Sequence, residues 1–85
     1  MREDMLVGQV REVLADTLGV PAAAVHGGFS SEDTPLWDSL HHFTLVAALE
    51  ERFGVLYSSE EIPAMISLPA IVAVTMPHLG TRGGG

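Results

Sequence analysis

The sequence predicts an all-α fold: a bundle of three longer helices plus one short helix, with a long loop between the first two of the long ones. Three observations point there. Apolar residues recur at helical spacing in three windows, and each window is bracketed by residues that start or stop helices. The only run that reads as a strand, Val55-Leu56-Tyr57, has no second strand to pair with, and an isolated strand leaves its backbone donors and acceptors unpaired.

The first helix is expected from about Glu3 to Leu18. Leu6, Val10, Val13, Leu14 and Leu18 repeat at helical intervals, Glu3 and Asp4 suit the positive end of the helix dipole, and Gly19 stands where a C-terminal capping glycine belongs. Val20-Pro21 then forces a turn, because the residue before a proline is pushed out of the helical region. Residues 21–25 can form one further turn with Val25 pointing inward. From His26 to Pro35 the chain makes a long connection, Gly27-Gly28 and then the polar run Ser30-Ser31-Glu32-Asp33-Thr34, with Phe29 expected to pin its middle to the core. Trp37 is expected to cap the core with its indole N–H near water.

The second helix is expected from Ser39 to Phe53, between the punctuation of Pro35 and Gly54, with Asp38 as its N-cap. On a helical wheel His42, Leu45, Val46, Leu49 and Phe53 share one side, wide enough to join a core. Leu40, Phe43 and Ala47 fall opposite, interleaved with Thr44, Glu50 and Glu51, and Ser39 lies at the end of this stripe. The fold does not need a second apolar stripe. Rimmed by acids, it reads as a docking surface.

Beyond Gly54, Ser58 or Ser59 is expected to cap a brief helix with Glu60 and Glu61 in its first turn, Pro63 limiting its regularity, and Ile62, Met65 and Ile66 facing the core. Ser67 is expected to cap the last helix, where Pro69 is tolerated in the first turn and Leu68, Ile71, Val72 and Thr75 or Met76 form the inner face. Pro77 is expected to end or distort it. On this reading residues 1–80 are one domain, and residues 81–85 within the run from Gly80 are a disordered tail.

Composition narrows the function. There is no cysteine, so neither a disulfide framework nor a thiolate metal site is available, and any thioester chemistry needs a thiol from elsewhere. Eleven acids against four arginines give a net charge of −7, which argues against nucleic acid and for basic protein partners. No segment has the apolar length of a signal peptide or membrane span, so a cytoplasmic protein that does not engage membranes is expected.

Asp38-Ser39-Leu40, at the head of a helix that ends Leu49-Glu50-Glu51-Arg52-Phe53-Gly54-Val55, resembles the signature of acyl and peptidyl carrier proteins. The resemblance covers roughly residues 5–79. It implies that Ser39 receives a 4′-phosphopantetheine arm, flanked by Asp38 and Leu40, and that the helix it opens is recognised by partner enzymes. Leu40, Phe43, Thr44, Ala47, Glu50 and Glu51 would form that partner face. The implied partners are a phosphopantetheinyl transferase and the enzymes that load and process the acyl group, meeting a monomeric carrier. The pair before the motif is Leu36-Trp37 where fatty-acid carriers commonly have a glycine and another residue, a form similar to stand-alone carriers of natural-product pathways. The expected function is therefore acyl carriage in polyketide or related secondary metabolism. A peptidyl carrier of a nonribosomal pathway and a carrier-like interaction domain without the arm are the alternatives.

Other chemistries fit poorly. Asp38, Ser39 and His42 lie within about one helical turn and cannot form the linear relay that orients a base on its nucleophile, and no G-x-S-x-G elbow is present. His41 and His42 diverge by about 100° on a helix and have no ligand partner at i+4, so no metal site is expected. His42 is expected at the edge of the core, His41 exposed near Ser39, and His26 and His78 in loop and terminal positions. Glu32-Asp33 and Glu60-Glu61 read as solvated or capping acids.

Overall fold

The computed structural model describes the backbone of residues 2–84 and the side chains of residues 2–80. Three α-helices, α1 (Glu3–Leu18), α2 (Ser39–Phe53) and α3 (Leu68–Gly84), are joined by segments holding the 3₁₀ turns Ala22–Ala24, Ser31–Asp33 and Ile62–Ala64. Among the described residues there is no strand, and an isolated bridge pairs Ser30 with Ser67. The all-α expectation holds.

Local chemistry accounts for the bounds of α1 and α2. Gly19 and Gly54, at φ 70° and 66°, take the left-handed conformation that closes a helix, their N–H groups donating to the carbonyls of Ala15 and Glu50. Asp38 is extended at φ −94°, and its carboxylate accepts the backbone N–H of His41. The apolar stripes then face one another, with α1 packing against both α2 and α3. Leu6, Val10, Leu14, Leu45, Leu49, Met65, Leu68 and Ile71 are sealed from solvent at the centre. Val25 and Phe29, from the first connection, are buried against this core, as expected.

The connection between α1 and α2 is tied down at both ends. Arg11 Nε donates to the Val25 carbonyl at 2.8 Å. Further on, Ser31 N–H donates to the Ile66 carbonyl at 2.9 Å and Leu68 N–H to that of Phe29 at 2.8 Å, so the loop lies against the segment that leads into α3.

The region 58–66 departs from the expected short helix. Ser58 and Glu61 form a reciprocal capping box: the Ser58 N–H donates to Glu61 Oε1 at 2.8 Å, and the Glu61 N–H to Ser58 Oγ at 3.1 Å. Only a 3₁₀ turn, Ile62–Ala64, follows it. Pro63 brings no N–H and disfavours helical geometry at Ile62, so the nascent helix cannot propagate. Met65 is fully buried as expected, but Ile62 is half-buried and Ile66 is 42% exposed, which corrects its assignment to the core.

Ser67 caps α3 through its hydroxyl, which accepts the Ala70 N–H at 3.1 Å, and Leu68, Ile71, Val72 and Thr75 form its inner face. Pro77 does not end α3. The residues beyond it are held by tertiary contacts. His78 Nε2 lies 3.0 Å from Glu61 Oε1 with its ring edge-on to Tyr57, and Leu79 packs against the core. His78 is therefore part of the bundle, not a free terminal residue. The tail expected at 81–85 falls on positions whose side chains, and for residue 85 the backbone, lie outside the described residues.

Candidate functional site

The site is built on the first turn of α2. Asp38 Oδ1 accepts the His41 backbone N–H at 2.9 Å and sits 2.8 Å from His41 Nδ1. These contacts, first the backbone bond and then the side-chain bond, hold the Asp38 carboxyl below its ordinary value of 3.8. The cap is thus charged at neutral pH and anchored by its neighbour. His41 is half-buried against it where open exposure was expected.

Ser39 is the first residue of α2 and is exposed. The N–H groups of a helix's first turn have no intrahelical acceptor, so a hydroxyl-borne phosphate here would meet donors and a favourable dipole. Beside it opens a groove of about 440 Å³ between α2 and the segment 62–66, lined by Ser39, Trp37, His42, Phe43, Ile62 and Ile66.

The stripe opposite the core is open to solvent. Leu40 and Phe43 are 72% and 67% exposed, and Thr44, Ala47 and Glu51 are exposed with them. Glu50 differs, since it is half-buried and accepts the Tyr57 N–H at 3.0 Å. Of the residues expected on this face, Leu40, Phe43, Thr44, Ala47 and Glu51 lie together, and Glu50 turns toward the segment after α2. Two further apolar residues escaped the helical wheel because they lie outside α2: Leu36, 52% exposed, and Ile66 at the groove.

Trp37 is buried, and its indole N–H donates to His42 Nδ1 at 3.0 Å. Water was the expected acceptor. His42 Nε2 in turn lies 2.8 Å from the Ile62 carbonyl. A ring whose Nδ1 accepts while Nε2 faces a carbonyl must be the neutral Nε2–H tautomer, donating to Ile62. The two rings stack at 6.1 Å between centroids, and Phe29 continues the stack on the other side of Trp37 at 6.0 Å. The inward position of His42 was legible from spacing, but its partners are five and twenty residues away.

Among the described residues no group of three or more potential ligands could hold a metal ion. Nor is any helix long and apolar enough to cross a membrane. Asp38, Ser39 and His42 form no relay, since Asp38 is bonded to His41 and both ring nitrogens of His42 are engaged elsewhere.

No protein-family model matches the chain. An acyl carrier protein of Solidesulfovibrio magneticus is 42% identical over 53 residues, an alignment that covers 62% of this chain and 68% of that protein. Identity at that level over that share, joined to an all-helical fold, places the chain in the acyl carrier protein family, whose members carry acyl groups and are not themselves enzymes.

Proposed function

We propose that Ser39 is the attachment point of a 4′-phosphopantetheine arm, and that residues 1–80 form a carrier unit which tethers acyl intermediates as thioesters. The observation that carries this reading is an exposed hydroxyl on the opening residue of α2, directly after a charged cap and at the rim of an apolar groove. The arm supplies the thiol that a chain without cysteine lacks. In the attachment step Ser39 Oγ bonds to the phosphorus that bears the pantetheine in coenzyme A. The bond from that phosphorus to the oxygen of the adenosine-bearing phosphate breaks, and adenosine 3′,5′-bisphosphate leaves. The hydroxyl proton passes to a base on the transferase. Asp38 caps the helix beneath, and Leu40 completes the tripeptide that a transferase would read.

The acyl-handling enzymes would dock on Leu40, Phe43, Thr44, Ala47 and Glu51, with the Glu50 charge adding to the acidic field. The Leu36-Trp37 pair supports a place in polyketide or related secondary metabolism. The carrier would act as a monomer in the cytoplasm. Intact-mass measurement tests the core of the proposal. A broad-specificity phosphopantetheinyl transferase with coenzyme A should add one arm to the wild type and none to Ser39→Ala. Label on another residue would overturn the assignment.

A further inference from the structure

Resting on Ser39 as the attachment point, we propose that the Trp37–His42–Ile62 hydrogen-bond relay bars a long alkyl chain from the helical core, so that the cargo is a short or ring-bearing acyl group held in the surface groove. His42 is then the positioning residue that sets what this carrier can shelter.

The groove beside Ser39 has two walls, α2 on one side and residues 62–66 on the other. An alkyl chain entering the bundle from Ser39 has to pass between them. The His42 ring spans that gap, with Nδ1 taking the Trp37 indole N–H at 3.0 Å and Nε2–H bonded to the Ile62 carbonyl at 2.8 Å. One and two turns further along the same face of α2 stand Leu45 and Leu49, both sealed from solvent, as is Met65 beyond Ile62. Prising the walls apart would break the bond that crosses the gap, from His42 Nε2–H to the Ile62 carbonyl, which the Trp37 indole on the α2 side orients by holding Nδ1. It would leave an imidazole N–H and a backbone carbonyl without their partners in a part-buried setting, which is the costly way to lose a hydrogen bond.

Outside this closure the groove is well suited to something compact. Phe43, Ile62 and Ile66 offer apolar contact at its sides, and the Trp37 ring stacks with His42 at an interplanar angle of 28°. Ser31, Ser39 and Asp38 bring polar groups to the lining. A groove of about 440 Å³ stands toward the lower end of the range for small-molecule sites, and the arm itself must share it.

The test loads the protein directly, using a phosphopantetheinyl transferase with acetyl- or dodecanoyl-coenzyme A, and confirms the added mass before anything else is read. Methyl resonances of Leu45, Leu49 and Met65 and the Trp37 indole N–H resonance are then compared between the two loaded forms. In the wild type the core methyls should match in both forms, and the indole proton should keep its hydrogen-bonded position. In His42→Ala the dodecanoyl form alone should shift the core methyls. Should that variant fail to fold, Trp37→Phe keeps the ring stack while removing the indole donor, and should shift them in the same direction. Core methyls that move with dodecanoyl in the wild type would overturn the proposal. So would a folded variant in which they stay still. Absence of any added mass would instead strike the attachment reading itself, and this inference with it.

Discussion

Asp38 caps α2 with one oxygen and carries a full charge at the dipole's positive end. Its carboxyl is held below 3.8, principally by the His41 backbone N–H and then by the His41 ring. A depressed folded value means that the unfolded chain binds the proton more readily, so the cap's contribution is complete above 3.8 and is lost as pH falls through the lower folded value. Asp38→Asn should therefore lower Tm at neutral pH, with the difference from wild type shrinking as the solution is acidified. Asp38→Ala, which also loses the acceptor, should cost more at neutral pH. Tyr57 behaves in the opposite sense. Burial pushes its phenol above 10.0, with the Thr75 bond opposing and the charges of Glu50 and Glu61 adding to the rise. Here the folded chain holds the proton more tightly, so stability should fall as pH climbs past 10, and Tyr57→Phe should flatten that alkaline limb. At neutral pH the same substitution removes a 2.7 Å bond to the buried Thr75 hydroxyl and should cost about 1–2 kcal/mol, measured by denaturant titration.

In α2 a single helix separates holding the fold from meeting partners. Leu45, Val46, Leu49 and Phe53 are buried, while Leu40, Phe43 and Ala47 face solvent on the other side. The two faces should respond differently to substitution. Leu49→Ala empties a fully enclosed position and should cost about 2–5 kcal/mol of unfolding free energy. Phe43→Glu should leave helical content and Tm nearly unchanged while reducing turnover by acyl-handling enzymes. Loss of far-UV ellipticity in that variant would assign Phe43 to the core. In α3 local propensity and tertiary packing disagree. A proline within a helix typically costs about 3 kcal/mol, yet the helix runs on through Pro77 because His78 and Leu79 are held by Tyr57, Glu61 and the core.

Across the molecule, eleven acids face four arginines, and the three arginines with described side chains are already engaged. Arg2 meets Asp4, Arg11 the Val25 carbonyl, and Arg52 both Glu12 and Gln9. The net charge of −7 leaves the surface field acidic toward a basic partner. Association with such a partner should therefore be fast at low salt and slow markedly as the screening length contracts to about 10 Å near 0.1 M. Stopped-flow measurement of the association rate against ionic strength checks this, and an unchanged rate would remove electrostatic steering from the account.

The bounds of α1 and α2 were legible because they depend on chemistry within a few residues: Gly19 and Gly54 at left-handed stops, Asp38 as a cap, and an apolar period that picks out Leu6, Val10, Leu45 and Leu49. The exposure of Ser39 followed from the same local logic, since an opening residue beside its cap lies at a helix end. What lay beyond such reading was carried by contacts between distant positions. His42 finds Ile62, Glu50 turns to Tyr57, His78 reaches Glu61, and the 26–35 connection bonds to Ile66 and Leu68. Periodicity says which way a side chain faces, but not which donor will be waiting for it. That depends on how the helices meet, and it is why the closed floor of the groove beside Ser39 emerged only once the bundle was assembled.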